Sequence, residues 1–328
     1  MKILIADKFD AAGIAGLEQL GAEVTVEPNL APETLPEALD RTQAEILVVR
    51  STKVPAQVID SAPALRGIIR AGAGYDKIDF EHAAEREVAV CNTPGMNAVA
   101  VAELTIGHLI NLDRRLPEQD ATLKAGHWNK AEYGKSRGLK GRNILIIGTG
   151  AIGTEVIKRT QAFGMHVWAQ SRSLRDDTAR ALNIKPIPYT REALYDILPQ
   201  MDAVSVHVAS TPDTRDLCDA RFFGAMQPGA YFINTSRGEI VDEAALAEAV
   251  QSKALRAALD VYRGQPAEKN CDWKPAIADL PGVYCSHHAG ASTDQAQLAV
   301  AEEVVHIVTE YTRNGAWLHQ VNTVVTKA

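Results

Sequence analysis

The sequence predicts an α/β protein of two doubly wound, parallel-sheet domains, and three observations carry that expectation. Short apolar runs alternate with amphipathic stretches along the chain, as strand, crossover helix, strand requires. One run, Asn143-Ile-Leu-Ile-Ile, breaks abruptly into Gly148-Thr-Gly150-Ala-Ile-Gly153 and resumes as a helical pattern. At 328 residues the chain also has room for two domains by the rough rule of about 100–200 residues each.

Taken in order, residues 3–6, 23–26, 46–49, 67–70 and 88–91 read as five parallel strands. Residues 11–20, 32–41, 56–61 and 80–86 have the amphipathic pattern of the helices between them. This first domain runs to about residue 97 and has no glycine fingerprint, which suggests that it holds a substrate rather than a nucleotide. A helix over 99–116 follows, with Val101, Leu104, Ile106, Leu109, Ile110 and Leu112 covering more than one stripe, so it is expected to be buried on several sides and to cross between domains. The charged stretch 117–141 has too few apolar residues for a core and reads as a dimerisation arm. The second domain contains strands at 143–147, 165–169, 203–207, 230–234, 257–261 and 283–286. A final apolar-faced helix, 293–312, is expected to return to the first domain. The expected division is therefore 1–97 with 292–328, and 98–291.

Composition narrows the function classes. With 46% hydrophobic residues, 23% charged residues and a net charge of −7, the chain reads as an ordinary globular protein, and an acidic balance does not suit a phosphate backbone. Cys91, Cys218, Cys271 and Cys285 are far apart without C-x-x-C pairing, so neither a disulfide framework nor a metal site is expected. No apolar stretch has the length of a signal peptide core or a membrane span, and a cytoplasmic location fits best.

The glycine run is the strongest local signal. Gly148 would make the turn, Gly150 would let a pyrophosphate approach the backbone, and Gly153 would let the helix lie close to the strand. The helix N-terminus, beginning at Ala151 and Ile152, would offer free N–H groups to the phosphates. In this strand-turn-helix context the motif points to a Rossmann dinucleotide site. Chemistry in such folds lies just beyond strand ends, which singles out Asn234-Thr-Ser-Arg237, Asp260, Ser-His287-His288 and Arg70-Ala-Gly72-Ala-Gly74. Hydride transfer to a 2-oxo acid needs a cation for the substrate's carboxylate or carbonyl and an acid/base group near neutrality; Arg237 and His288 have the right types and places. His287, His127, His166 and His207 read as structural.

The same residues carry a resemblance. Arg70-Ala-Gly-Ala-Gly-Tyr-Asp-Lys-Ile-Asp79, Asn92-Thr-Pro-Gly-Met-Asn97, Asn234-Thr-Ser-Arg-Gly-Glu-Ile-Val-Asp242, Ala257-Ala-Leu-Asp-Val-Tyr262 and His288-Ala-Gly-Ala-Ser-Thr293 accompany the fingerprint. Over essentially its whole length the chain resembles the D-isomer-specific 2-hydroxyacid dehydrogenases, most closely the D-3-phosphoglycerate dehydrogenases. The resemblance implies a Rossmann NAD(P)-binding domain inserted into a flavodoxin-like substrate domain. It implies that Arg237 binds substrate, that His288 is the acid/base and that Asp260 holds the nicotinamide carboxamide. It also implies that the loop Arg70, Gly72, Ala73, Gly74 grips the substrate carboxylate, with Asn97 nearby. The implied cofactor site adds Gly148, Gly150, Ala151, Ile152, Gly153, Ser171, Arg172, Val208, Thr235, Ser236, His288 and Gly290. Arg50, Arg70 and Lys130 stand where phosphoglycerate dehydrogenases neutralise a phosphate, the lysine coming from a partner subunit, so a homodimer through 98–141 is expected. The resemblance ends near Val321-Asn322, so the C-terminal regulatory domain of many phosphoglycerate dehydrogenases, and serine feedback through it, is not expected.

Two departures from the family pattern matter. Where the family has an acid for the adenosine ribose, this chain reads Gln170-Ser171-Arg172-Ser173, which favours NADP alongside NAD. The catalytic glutamate before Pro266 is replaced by Gln265, whose carbonyl oxygen is expected to accept the His288 imidazole N–H; the alternative is that Glu268, three residues on, folds back to do the glutamate's job. Glyoxylate or hydroxypyruvate reduction is the alternative activity. A rival from another class is a nucleotide-sensing binding protein, like the C-terminal binding protein corepressors of the same fold.

Overall fold

The computed structural model describes residues 1–266, 268 and 270–323; the end of the expected 292–328 stretch, residues 324–328, lies outside the described residues. The chain divides into two compact units, Met1–Asn97 with Ser292–Ala328, and Ala98–Ala291.

The first unit runs β1 (Lys2–Ile5), α1 (Ala11–Gln19), β2 (Glu23–Val26), α2 (Leu35–Thr42), β3 (Ile46–Val49), α3 (Ala56–Asp60), β4 (Gly67–Arg70), α4 (Phe80–Glu85), β5 (Ala89–Asn92). Its strands form one parallel sheet in the order β2-β1-β3-β4-β5, the flavodoxin-like order. The β-branched and leucine run of β3 is buried throughout, as a central parallel strand requires. Asp10 and Asp79 cap α1 and α4 by accepting the N–H groups of Ala12 and His82. Helix α2 starts at Leu35 rather than residue 32. The Ala31 N–H donates to Thr34 Oγ1 at 2.9 Å, closing a turn first, and Pro36 then falls in the opening helical turn where its missing N–H costs nothing.

The second unit runs α5 (Ala98–Arg114), α6 (Leu116–Lys124), α7 (Lys130–Tyr133), β6 (Asn143–Ile147), α8 (Ala151–Ala162), β7 (His166–Gln170), α9 (Asp176–Ala181), β8 (Lys185–Pro186) and α10 (Arg191–Ile197). It continues with β9 (Ala203–Val206), α11 (Ala220–Ala225), β10 (Tyr231–Asn234), α12 (Glu243–Lys253), β11 (Arg256–Leu259) and β12 (Val283–Cys285). The order β12-β11-β10-β9-β6-β7-β8, all parallel, is the dinucleotide-binding order with an added edge strand. Strand β8 has no signature in the sequence, being two residues long and ending in a proline that only an edge tolerates. One face of this sheet is covered by a cluster including Leu145, Val204, Phe222, Phe232 and Leu246. The other carries Ile144, Ile146, Ile233, Val156 and Ile157 with Ile106, Leu109 and Leu112 of α5. Helix α5 is buried at ten positions, spread around its circumference as its sequence anticipates. Helices α6 and α7 bury no residue, and Leu116, Leu123 and Trp128 stand exposed, the tryptophan 77% so.

The chain then returns to the first unit as α13 (Asp294–Asn314), capped by Thr293, with Val304, Ile307 and Val308 packed among Ile3, Ile5 and Ile46. Among the described residues, no helix is long and apolar enough to cross a membrane.

Candidate active site

Because the strands of the second unit are all parallel, their carboxyl ends share one edge, and Gly148, Ser171, Thr235, Asp260 and Ser286 each follow a strand there. The three fingerprint glycines have different reasons. Gly148 has φ 100°, and a Cβ on it would lie 2.4 Å from the His207 carbonyl oxygen. A Cβ on Gly153 would lie 1.9 Å from Gly148 O, so both are demanded by the turn itself. Gly150 is different: its φ is −69° and a Cβ there would meet nothing within 4 Å. No internal contact requires glycine at that position; open ground before the N-terminus of the 12-residue α8 does suit a pyrophosphate lying against the backbone. Ala151, Ile152 and Gly153 form the first turn of α8, and Val208 lies beside the loop, 2.9 Å from a Cβ on Gly148.

At the end of β7, Gln170 is buried and its Nε2 donates to the carbonyls of Pro188 at 2.6 Å and Thr190 at 2.9 Å. Its amide is thus spent on the neighbouring loop. Ser171 is half-buried and Arg172 and Ser173 are exposed; no hydrogen bond or ion pair joins the Arg172 guanidinium to another described residue.

The loop of Arg237 is shaped by Asn234. Its Oδ1 accepts the N–H and the hydroxyl of Ser236 at 3.0 and 2.7 Å, while Nδ2 donates to the Arg237 carbonyl at 2.8 Å. Thr235 is buried with its hydroxyl 3.0 Å from that of Thr105 on α5. The Thr235 and Ser236 hydroxyls are therefore engaged within the chain. Arg237 is half-buried and donates from Nη1 to Ser236 O at 2.8 Å. Gly238 brings this loop onto the next one: a Cβ there would lie 2.1 Å from the carbonyl carbon of Tyr262.

His288 sits on the loop after β12, in left-handed conformation, φ 50°. Asp260, 1% exposed, holds the loop's backbone: Oδ1 accepts Ala289 N–H and Oδ2 accepts Gly290 N–H, each at 2.9 Å. Gln265 lies against the ring, with Nε2 2.6 Å from His288 Nδ1. Here the structure corrects the sequence expectation. Gln265 Oε1 accepts the Tyr262 backbone N–H at 3.1 Å, so the amide turns its nitrogen, not its oxygen, toward the imidazole. An NH₂ group only donates, so Nδ1 accepts and the neutral ring carries its proton on Nε2. Tyr262, which the sequence did not single out, thus sets the direction of this contact; its hydroxyl donates to the carbonyls of Leu259 and Ser286, both at 2.8 Å, and burial pushes the phenol well above its ordinary range. Glu268 is exposed and no ion pair joins it to His288.

His287, His127 and His166 are exposed, and none is packed in a core. His207 does have a structural partner, the Ser205 hydroxyl, 2.8 Å from Nε2.

In the first unit, Asp7 at the end of β1 organises the loop after β3. Its Oδ2 accepts the N–H groups of Arg50, Ser51 and Thr52 at 2.7, 2.9 and 3.1 Å, and Oδ1 accepts the Ser51 hydroxyl at 2.8 Å. Burial alone would raise this carboxyl's pKa, but the four donors outweigh it and hold the pKa below the ordinary value. Arg50 so placed donates from Nη1 to Gln297 Oε1 at 2.9 Å and from Nη2 to Ser292 Oγ at 3.5 Å. Arg70 ends β4 and folds over Gly72, where a Cβ would lie 1.5 Å from Nη1. Asn92 Nδ2 donates to Ala73 O at 2.6 Å, steadying the loop through Gly74. The buried Oδ1 of Asn97 has no hydrogen-bond partner among the described residues. Lys130 opens α7 in the second unit and is exposed.

Residues 106–290 match the sequence profile of the D-isomer specific 2-hydroxyacid dehydrogenases, NAD binding domain. The chain is similar to the D-3-phosphoglycerate dehydrogenase of Methanocaldococcus jannaschii, 35% identical over 94% of this chain and 57% of the relative. It is similar also to that of Rattus norvegicus, 37% identical over 92% of this chain and 55% of the relative. The chain therefore spans little more than half the length of these relatives. Its fold is similar to that of an NADPH-dependent glyoxylate/hydroxypyruvate reductase from Sinorhizobium meliloti, solved with NADP and malonate, at a TM-score of 0.80, 27% identity and coverage of 100% and 98% of the two chains.

Proposed function

This chain belongs to the D-isomer specific 2-hydroxyacid dehydrogenase family, and from that premise we propose that it is an NAD(P)-dependent oxidoreductase interconverting a small D-2-hydroxy acid and its 2-oxo acid. The observation that carries this reading is the meeting of two loops: the one bearing Arg237 packs, at Gly238, on the Tyr262 turn whose Gln265 contacts His288. A cation for the substrate and an acid/base group are thereby held at the strand edge that also presents the Gly150 cradle. The second unit is the cofactor domain in this reading, and the first supplies the substrate loop.

A bound nicotinamide would supply or take the hydride. Arg237 pairs with the substrate's carboxylate or carbonyl, and His288 donates a proton to the carbonyl oxygen during reduction. Gln265 orients the ring. Asp260, with three donors already on its carboxylate, keeps lone pairs for the carboxamide that the resemblance assigns to it. Absorbance at the nicotinamide band with a panel of 2-oxo acids tests the reading. Turnover of any of them supports it, and cofactor binding without turnover of any would instead favour the nucleotide-sensing alternative, toward which Gln265 is the one residue that leans.

The substrate we favour carries a second anion, as 3-phosphohydroxypyruvate and 3-phosphoglycerate do, with Arg50 and Arg70 of one subunit and Lys130 of the partner subunit as its cations; glyoxylate and hydroxypyruvate are the alternatives. Two of the five guanidinium donors of Arg50 are used within the unit, leaving others for a phosphate. A charge-assisted hydrogen bond contributes about 1.5–3 kcal/mol, so Arg50→Ala is expected to raise KM for the phosphorylated acid about 10- to 100-fold. An unchanged KM would discard the phosphate assignment.

For the cofactor we propose that NADP(H) is accepted at least as well as NAD(H). Arg172, uncommitted among the described residues and flanked by Ser171 and Ser173, suits a 2′-phosphate, and no carboxylate stands at the end of β7 to repel one. In Arg172→Ala, kcat/KM for NADPH is expected to fall about tenfold or more while that for NADH holds. A strong NADH preference in the parent chain, undiminished in the variant, would refute this.

We also place a homodimer contact in the 98–141 segment. Most of α5 is buried within its own unit, so the contact is narrowed to the exposed apolar residues Leu116, Leu123 and Trp128. A cytoplasmic location suits the four free cysteines.

A further inference from the structure

His288 adopts a left-handed backbone conformation that a side-chain-bearing residue enters only with outside support. That support traces to a helix far away in sequence. Asp260 accepts the N–H groups of Ala289 and Gly290, the two residues after His288, and on Oδ1 also the Ser286 hydroxyl at 2.5 Å. With its proton committed to the carboxylate, Ser286 Oγ is left to accept, and His108 Nε2 on α5 lies 3.1 Å from it. His108 is 5% exposed, and burial lowers its pKa against the smaller upward pull of Asp260, so the ring is neutral. Only the Nε2–H tautomer donates to Ser286; the buried Nδ1 has no partner among the described residues. Donor and acceptor roles are thus fixed in one direction, from His108 through Ser286 to Asp260, on which the two amides converge as further donors.

We infer that His108, Ser286 and Asp260 form a buried hydrogen-bonded relay that holds the left-handed turn at His288, which makes His108 and Ser286 positioning residues for the acid/base histidine. The inference rests on the proposed role of His288. Deleting a hydroxyl or an imidazole of this relay keeps every reacting group but shifts the His288 ring, and small displacements of a reacting group cost turnover more than binding.

The test uses Ser286→Ala, His108→Leu and Ser286→Thr in the full chain, with hydrogen exchange read at the Ala289 and Gly290 amides and steady-state reduction of the best 2-oxo acid. In the first two variants exchange at those amides is expected to quicken about tenfold or more and kcat to fall about tenfold, with KM and cofactor affinity within a factor of about two. Ser286→Thr, which keeps the hydroxyl, should restore both. Unchanged exchange and kcat in Ser286→Ala and His108→Leu would overturn the relay. So would acceleration spread over the whole second unit with a lowered Tm, since the residues would then be merely structural. If the parent chain reduces no 2-oxo acid, the functional reading fails, and the exchange measurement still decides whether the relay holds the turn.

Discussion

His288→Asn is expected to lower kcat for 2-oxo acid reduction by about 10²- to 10⁴-fold, the range associated with loss of a positioned general acid. Asparagine is chosen because it tolerates the left-handed conformation at φ 50°, so the turn and its two hydrogen bonds to Asp260 are expected to survive. Cofactor affinity should then hold within a few-fold, since the fingerprint loop and α8 are untouched. Titrating cofactor fluorescence alongside kcat separates the two effects. A kcat within a factor of about ten of the parent would mean that the proton comes from elsewhere.

The second large effect is expected from Gln265→Glu. Protonated His288 presents an N–H at Nδ1 as well as Nε2, and the Tyr262 N–H also points at residue 265. The glutamine amide turns its oxygen to the Tyr262 N–H and its NH₂ to the ring, and it cannot turn the oxygen to both sides at once. Protonating the ring therefore leaves either the imidazole N–H or the Tyr262 N–H without a partner, a loss of about 1–3 kcal/mol where water does not fill in. Glutamate offers an oxygen to each and adds a negative charge, although the exposure of His288 screens part of that attraction. Both effects stabilise the imidazolium, so the ring keeps its proton to higher pH. Reduction, which consumes that proton, should persist with it, and the alkaline limb of its pH profile is expected to move upward by about one to two pH units at roughly 1.4 kcal/mol each. Oxidation should gain as well. In the parent the neutral ring carries its proton on Nε2, the wrong tautomer for accepting one from a hydroxyl, whereas a glutamate accepting from Nδ1 would free Nε2. Glu268→Ala, lacking any ion pair to His288, serves as the control and should change little. An unmoved limb in Gln265→Glu, or collapse of activity in Glu268→Ala, would assign the histidine's partner to the wrong residue.

Much of the fold was legible because buried parallel strands need unbroken apolar runs. β3 and β4 begin and end where the sequence places them, as does β2, although it is an edge strand with no buried residue, and the strand-glycine-helix run of β6 and α8 is local enough to read directly. Arg237, His288 and Asp260 were legible for a related reason: doubly wound sheets put chemistry just past strand ends, and each follows such a run. Gln265 was visible from its place before Pro266 and its spacing to His288, and the missing acid after β7 from the run Gln170-Ser171-Arg172-Ser173, both against the family pattern.

The residue types at the site, their order and the substitution at position 265 were thus determined by the sequence alone. Which atom of Gln265 meets the imidazole was decided only by the fold, because the Tyr262 N–H claims the amide oxygen first. The same holds for His108, which in the sequence is one more residue of an apolar helix and in the structure hydrogen-bonds Ser286, 178 positions later. Periodicity reports which face of an element is buried. It carries no record of hydrogen bonds between elements distant in the chain, since those depend on where several separately folded segments come to rest against one another.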